Sequence, residues 1–134
     1  MASAFQLRIV TPRAQLLDEP VGEVTAPGAL GEFGVLPDHI QFLTALEIGV
    51  VSFKTGSGVR KVAVRGGFAE VADNVMTVLA EDAEFAESID AAAARSDLQA
   101  AESQLSGLSP LDDGYGAADT NRRWALARLA AVAR

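Results

Sequence analysis

His39 is the only histidine in this 134-residue chain and the side chain with the widest chemical range near neutral pH. It lies in a segment rich in glycine and proline over residues 26–46, where it could activate a serine or threonine nucleophile. The sequence has no G-x-S-x-G motif to present such a nucleophile. A small hydrolase that uses His39 is therefore the least favoured of the alternatives, and a contact role for this histidine is favoured.

The same segment holds Gly28, Gly31 and Gly34, a spacing that invites comparison with phosphate-binding loops. It matches neither G-x-G-x-x-G nor G-x-x-x-x-G-K-[ST], and no helical pattern follows whose N-terminus could hold a phosphate. Turn formation is the favoured interpretation, because glycine reaches positive φ while Pro27 and Pro37 fix φ. We expect one bent loop between two β-like runs, presenting Glu32, Phe33 and His39 to a partner.

Metal and cofactor chemistry are not expected. Cysteine is absent, and the acidic residues between 81 and 90 lack the D-x-D-x-D-G spacing of a calcium loop. An acidic helix start explains those residues better. The formal net charge of −7 also argues against nucleic acid and anionic lipid as direct partners. The chain start lacks the pattern of a secretory leader, and no apolar run is long enough to cross a membrane.

Two segments position these residues. Short alternating apolar runs over residues 4–81, separated by glycine pairs and Asp73-Asn74, predict a sandwich or barrel of strands, with Gly56-Ser57-Gly58 as a hairpin turn. Alanine, glutamate and arginine then dominate and predict helices. The sequence thus indicates an α+β chain, with a β domain over residues 1–84 and an antiparallel helical hairpin over residues 85–134.

Capping signals set the expected helix limits. Ser88 or Asp90 would begin the first helix, and Gly107 followed by Pro110 would end it. Residues 109–119 read as a turn-rich connector, and the second helix is predicted from about Thr120. Asp119 would cap that helix, whose apolar face is expected to contain three residues: Leu126, Leu129 and Ala133.

The hairpin is predicted to be movable. Its first helix has an apolar stripe made half of alanine, which buries less area than leucine at about 25 cal/mol per Å². The first helix is acidic, whereas the second carries Arg122, Arg123 and Arg128. We expect weak docking on the β domain, with the three arginines either pairing with the first helix or meeting an acidic partner.

Several motifs in one order are similar to the epsilon-subunit family of bacterial F-type ATP synthases. They are L-R-I-V-T-P at 7–12, A-P-G-A-L-G-E-F-G-V-L-P at 26–37, R-G-G-F-A-E-V at 65–71 and V-M-T-V-L-A-E-D-A-E at 75–84. The resemblance is strong over about the first 90 residues and continues in architecture and charge.

This resemblance implies a β-sandwich of about ten short strands followed by two helices. It implies a non-catalytic rotor subunit of a proton-translocating ATP synthase, peripheral to the cytoplasmic face of the inner membrane and bound to the gamma subunit and the c-ring. Glu32, Phe33 and His39 would lie toward the c-ring. The hairpin would restrain ATP hydrolysis. From their charge, we predict that Arg122, Arg123 and Arg128 contact the alpha and beta catalytic subunits in the inhibited state.

The chain departs from the family pattern at two places. Asp38, Gln41 and Phe42 replace the family's usual residues around His39. The motif I/L-D-x-x-R-A, which binds ATP in some relatives, keeps Asp90 here but has Ala93 in place of arginine. Loss of that cation weakens phosphate binding, so Asp90 is only a weak ATP candidate and no cofactor is expected. A β-sandwich adaptor whose helical tail binds an unrelated partner is the main alternative function.

Overall fold

The computed structural model describes residues 3–133, so Met1, Ala2 and Arg134, at the ends of the two expected segments, lie outside the described residues. Strands come first and helices follow, which confirms the predicted α+β class. The strands are β1 Phe5–Val10, β2 Gln15–Val21, β3 Glu23–Gly28, β4 Gly31–Val35, β5 Phe42–Thr55, β6 Gly58–Ala72, β7 Val75–Ala80 and β8 Ala83–Phe85. A 3₁₀ turn at Ala86–Ser88 leads into α1 Ala91–Ser106 and α2 Tyr115–Val132.

The strands pair in the order β2-β1-β7-β6-β5-β3-β4, and β8 pairs with β6. Every pair is antiparallel except β1 with β7, which is parallel and joins residues 6–10 to residues 75–79. The predicted turns at Gly56-Ser57 and Asp73-Asn74 connect β5 to β6 and β6 to β7. Both Asp73 and Asn74 have positive φ, as a two-residue hairpin turn requires.

The described residues contain eight strands rather than about ten short ones. β5 and β6 are 14 and 15 residues long and take part in both layers of the sandwich. Their pairing keeps one register but is interrupted between Leu46↔Gly67 and Ile48↔Arg65, where Glu47 and Gly66 are unpaired. A glycine pair between two apolar runs predicts an interruption, but Gly66 and Gly67 stay within β6 at positive φ, where they bend the strand.

The core lies between the two layers. One layer contains β2, β1, β7 and the second half of β6, and it contributes the fully buried Leu7, Ile9 and Met76. The other contains the first half of β6, the second half of β5, β3 and β4, and it contributes Val24 and Phe53 to the same cluster. Alternate residues on each strand point inward, which is the period-2 pattern that predicted the strands.

The first helix has the expected limits. The Asp90 side chain accepts a hydrogen bond from the backbone N–H of Ala93 at 3.1 Å, so Asp90 is the N-cap. Gly107 is the C-cap. Asp97 of α1 pairs with Arg128 near the far end of α2, which confirms that the hairpin is antiparallel.

The predicted start of the second helix was wrong by five residues. α2 begins at Tyr115 after Gly114 in a left-handed conformation, so the helix includes part of the expected connector. Asp119 is therefore not an N-cap; it lies in the second turn and pairs with Arg122 at i,i+3.

The predicted apolar face of α2 was also wrong. Leu126 is exposed, Leu129 is half-buried and Ala133 follows the helix as its C-cap. The buried residues are mostly small: Ala118, Trp124, Ala125, Ala127 and Ala131. Because α2 packs against both α1 and the sheet, no single apolar stripe describes it.

Candidate partner-binding surfaces

The segment over residues 26–46 is a β-hairpin followed by a short loop rather than one continuous loop. β3 and β4 pair through Gly28↔Gly31, with Ala29 and Leu30 forming the turn, and residues 36–41 connect β4 to β5. The predicted site residues are therefore divided. Glu32 and Phe33 lie on the edge strand β4, whereas His39 lies in the following loop.

Close packing fixes the hairpin end. A Cβ atom at Gly28 would lie 2.8 Å from the Phe33 ring, and Gly31 has a φ of 124°, so both positions favour glycine. The Ala29 backbone N–H donates to the Ala45 carbonyl at 2.9 Å and ties the turn to β5. The turn is thus held in place while Leu30 remains fully exposed.

Phe42 brings Phe33 and His39 together. The rings of Phe33 and Phe42 are 5.2 Å apart, and the His39 imidazole meets Phe42 edge-on at 6.0 Å. The Nδ1 atom of His39 lies 2.7 Å from the Ile40 carbonyl oxygen, a distance at which a protonated Nδ1 donates to that oxygen. Local contacts thus position His39, with the ring edge at the surface.

Glu32 lies on the opposite side of β4 from Phe33, since successive strand residues face opposite ways. Its position is exposed and pairs with Pro27 of β3. We use the name tip surface for the exposed Leu30, Glu32, Leu36 and Ile40 together with the half-buried His39 at this end of the β domain. A carboxylate beside three exposed aliphatic side chains forms a surface for protein contact.

A second exposed apolar surface was not predicted from the sequence. Phe68 and Leu79 pair across β6 and β7 and are 56% and 52% exposed, and each lies beside further apolar residues on neighbouring strands. We call these residues the outer sheet face: Val10, Leu43, Ala45, Phe68 and Leu79. A groove of about 380 Å³ runs along it from Val10 to Glu81.

The exposure of this face follows from where the hairpin docks. α2 covers the other layer, where Trp124, Ala127 and Ala131 pack against the fully buried Ala63. Neither of the two described helices packs closely against β1 or β7, and the outward Phe68 and Leu79 of that layer remain exposed. The sequence could have revealed this face through the period-2 pattern of residues 68–71. That pattern places Phe68 on the same side as the charged Glu70, opposite Ala69 and Val71, which the structure shows to be buried.

The three arginines of α2 all have partners within this chain. Arg122 pairs with Asp119 at 2.8 Å, Arg123 with Glu47 of β5 at 2.6 Å, and Arg128 with Asp97 of α1 at 2.8 Å. One alternative predicted that all three arginines pair with the first helix, and of the three only Arg128 does so. Its guanidinium also lies 5.6 Å from the Trp124 ring centroid, and its side chain is only 11% exposed. Arg128 therefore braces the hairpin.

A cluster around Arg60 anchors the junction between strands and helices. The Arg60 guanidinium lies 4.9 Å from the Phe85 ring centroid and 2.9 Å from a Glu87 carboxylate oxygen. A hydrogen bond from its own backbone, and then the Arg60 side chain, hold the pKa of Glu87 below its ordinary value of 4.5. The expected boundary at residue 84 falls inside β8, and this cluster fixes the chain as far as Glu87.

Other chemistry has little support in the described part of the chain. The Asp90 carboxylate, the weak nucleotide candidate, caps α1, and Ala93 offers only its backbone N–H there. Within residues 3–133 no three histidine, aspartate or glutamate side chains are grouped to hold a metal ion. None of the described helices is long and apolar enough to cross a bilayer.

A family model described as the ATP synthase delta/epsilon chain, beta-sandwich domain matches residues 4–86. A protein of Geobacter metallireducens named ATP synthase epsilon chain is 45% identical over 129 residues, covering 96% of this chain and 94% of its own. Another of that name from Nitratidesulfovibrio vulgaris is 47% identical over 129 residues, with 96% of each chain covered.

Two solved structures share the fold. A chain of the Euglena gracilis mitochondrial ATP synthase, in an assembly of OSCP, F1 and c-ring, has a TM-score of 0.85 at 24% identity, covering 99% of this chain and 84% of its own. A chain of the Tetrahymena thermophila mitochondrial ATP synthase, from its central stalk and c-ring, has a TM-score of 0.61 at 16% identity and covers 96% of both chains. The likeness includes the helices as well as the strands.

Proposed function

The chain belongs to the family of ATP synthase epsilon chains, and we propose from this premise that it is a non-catalytic rotor subunit of the central stalk. It would couple the catalytic head to the c-ring of a proton-translocating ATP synthase and lie peripherally at the cytoplasmic face of the inner membrane. The observation that carries this proposal is the presence of two separate exposed surfaces on one well-packed β domain. Such a domain can bind two neighbours at a fixed relative orientation.

The outer sheet face suits the gamma subunit. A permanent stalk contact must bury apolar area, and Phe68 and Leu79 provide aromatic and aliphatic side chains around a groove. Since α2 covers the opposite layer, the hairpin does not compete with a partner bound at this face. The β domain would therefore hold the gamma subunit whatever the hairpin does.

The tip surface suits the c-ring. Glu32 and the edge of His39 can exchange hydrogen bonds with polar loops of the ring, and Leu30 and Ile40 add apolar contact. Phe33 contributes indirectly, because its ring holds Gly28 and Phe42 in position. The loop after β4 also contacts the turn between β6 and β7, where the Asp38 backbone N–H donates to the Asn74 side chain at 2.8 Å.

The hairpin would restrain ATP hydrolysis by leaving the β domain and entering the catalytic head. Support comes from its contact with the sheet, where three of the four buried residues are alanine. At about 25 cal/mol per Å² such a contact is weak compared with a leucine interface. Residues after Glu87 would move as a unit, because the Arg60 cluster holds the chain up to that point.

Co-purification with the gamma subunit tests the stalk assignment. Phe68→Asp places a charge in the outer sheet face and is expected to abolish co-purification of gamma. Val59→Asp is the matched control, since Val59 is an equally exposed apolar residue on the same strand but outside this face. Equal retention of gamma by both variants, or capture of a different stoichiometric partner by the wild type, would favour the unrelated adaptor function.

Hydrolysis by the reconstituted head tests the restraint. The head is assembled with the full chain or with a chain ending at Ser88, which keeps the Arg60 cluster and removes both helices. We expect the shortened chain to assemble and to raise ATP hydrolysis. A normal assembly with unchanged hydrolysis would give the hairpin a structural role only.

A further inference from the structure

The border of the contact between α2 and the sheet contains one short charge pair. Arg123 donates to Glu47 at 2.6 Å. The other polar contacts there are longer: Arg65 donates to the Asn121 side chain at 3.4 Å, and Lys61 donates to the Ala133 carbonyl at 3.5 Å. The Arg123–Glu47 pair is therefore the shortest polar contact that the docked helices make with the sheet and that undocked helices lose.

Glu47 occupies a special place in β5. It lies at the interruption of the β5–β6 ladder between Leu46 and Ile48, opposite Gly66, which has positive φ. Leu46 faces the core and is buried, so the Glu47 side chain points away from the core toward α2. Both members of the pair remain accessible to water, with the arginine 38% and the glutamate 49% exposed, so the pair can exchange partners and is sensitive to salt.

The partners of the other two arginines differ in location. Asp119 lies on α2 itself and Asp97 lies on α1, so the pairs of Arg122 and Arg128 travel with the hairpin. Within the described residues of α2, Arg123 is the arginine paired with the β domain. Undocking therefore leaves the pairs of Arg122 and Arg128 intact and frees Arg123.

We propose that Glu47 is an intramolecular competitor for the inhibitory contact. In the docked hairpin it occupies Arg123, and release exchanges Glu47 for a carboxylate on the catalytic head. This inference rests on the proposed restraint of hydrolysis by the hairpin. The Arg123 guanidinium cannot bind Glu47 and the catalytic head at the same time, so docking and inhibition exclude each other. Glu47 thereby sets the ratio of docked to inhibitory hairpin without contacting the head.

The docked population can be measured in the isolated full chain. The chain has no native cysteine, so spin labels at Ser57→Cys and Gln99→Cys report the distance between the β5–β6 turn and α1 without further changes. At low salt Glu47→Gln is expected to raise the undocked fraction about two- to fivefold, the range of a surface ion pair. Glu102→Gln, an exposed carboxylate on α1, is the matched control and is expected to leave the distances unchanged. Identical distance distributions for Glu47→Gln and wild type would overturn the proposal.

High salt and a charge swap test whether Arg123 and Glu47 interact directly. High salt should raise the undocked fraction of the wild type and have little effect on Glu47→Gln. The double variant Glu47→Arg with Arg123→Glu should restore docking, since the pair is reformed with its signs exchanged. Failure of the swap to dock better than either single variant would contradict a direct pair.

Hydrolysis by the assembled enzyme separates this inference from the function on which it rests. Glu47→Gln is expected to lower hydrolysis in proportion to the fall in the docked fraction. If removal of the helices raises hydrolysis but Glu47→Gln leaves it unchanged, the exchange of Arg123 is wrong and the restraint stands. If removal of the helices has no effect on hydrolysis, the proposed restraint is wrong. The spin-label distances then test only whether the Arg123–Glu47 pair keeps the hairpin docked.

Discussion

Gly67 occupies a point in β6 where a side chain has no room. Its φ is 124°, and a Cβ atom there would overlap the carbonyl oxygen of Leu79 on β7. The backbones of β6 and β7 approach closely at this residue, and the bend that carries β6 from one layer to the other depends on it. The glycine is therefore required by the fold itself.

We expect Gly67→Ala to destabilise the chain by at least about 2–3 kcal/mol, because the methyl group adds a steric overlap to an unfavourable φ. Urea denaturation measures the change. Gly116→Ala is the control, since Gly116 lies within α2 with open space around it, and alanine there should stabilise by about 0.5–1 kcal/mol. Equal effects of the two substitutions would show that the close approach at Gly67 is not a constraint.

Glu32 is the charged side chain of the tip surface, and charge reversal there should weaken association of the head with the c-ring by about threefold to tenfold. The Glu32→Lys variant keeps the strand pairing of β4, so the β domain should remain folded. Glu102→Lys makes the same charge change on exposed α1. Sedimentation of assembled complexes compares them, and an equal loss of assembly would leave Glu32 without a special role.

At the scale of elements, the junction after β8 links helix placement to pH. The pKa of Glu87 is lowered by a hydrogen bond from its own backbone and then by Arg60, so the ionised carboxylate stabilises the fold above the ordinary value of 4.5. This contribution is lost as the pH falls through the lower folded value. Glu87→Gln removes the pair at every pH.

The wild type should therefore lose more stability than Glu87→Gln between about pH 6 and about pH 3, by less than about 1 kcal/mol because the pair is exposed. Urea midpoints at both pH values give this difference. Glu102→Gln should behave like the wild type. If the Glu87→Gln variant loses as much stability on acidification as the wild type, the pair contributes nothing to the junction.

Element limits were predictable where one residue controls them locally. Asp90 caps α1 and Gly107 ends it, as expected, because each acts on its own backbone neighbourhood. The start of α2 was not predictable in this way, since Gly114 and Gly116 resemble a connector and only packing against α1 and the sheet extends the helix to Tyr115. The continuity of β6 through Gly66 and Gly67 likewise depends on the distant β5 and β7.

The candidate surfaces likewise divide into those that local sequence predicts and those that depend on tertiary packing. The sequence pattern marked Glu32 and His39 as contact residues, and both lie at the surface end of the β domain. The outer sheet face escaped prediction, because its exposure depends on which layer the hairpin covers. The pairing of Arg123 with Glu47, 76 positions apart in the sequence, required the docked arrangement.

At the scale of the whole molecule, the arginines of α2 link the resting and inhibitory arrangements. Arg128 braces the hairpin through Asp97 and Trp124, so its removal would loosen the helices themselves. Arg122 and Arg123 are more exposed and can meet an acidic surface without unfolding the hairpin. These two are the informative positions for a test of inhibition.

Replacing Arg122 and Arg123 together with alanine should raise ATP hydrolysis by the assembled enzyme at least about tenfold, because even one desolvated contact with the head is worth about 1.5 kcal/mol or more. Assembly should be unaffected, because neither residue belongs to the tip surface or the outer sheet face. Arg95→Ala removes an exposed charge from α1 and serves as the control. Unchanged hydrolysis in low salt would exclude both arginines from the inhibitory contact.

The placement of Trp124 has a practical consequence. It is the only tryptophan in the chain, and it is buried where α2 meets the sheet, within 5.6 Å of the Arg128 guanidinium. Its indole passes from an apolar environment to water when the helices leave, so its fluorescence emission should shift to longer wavelength. The unmodified protein thus contains an optical reporter of its own conformation, and hairpin movement can be followed in real time during stopped-flow mixing.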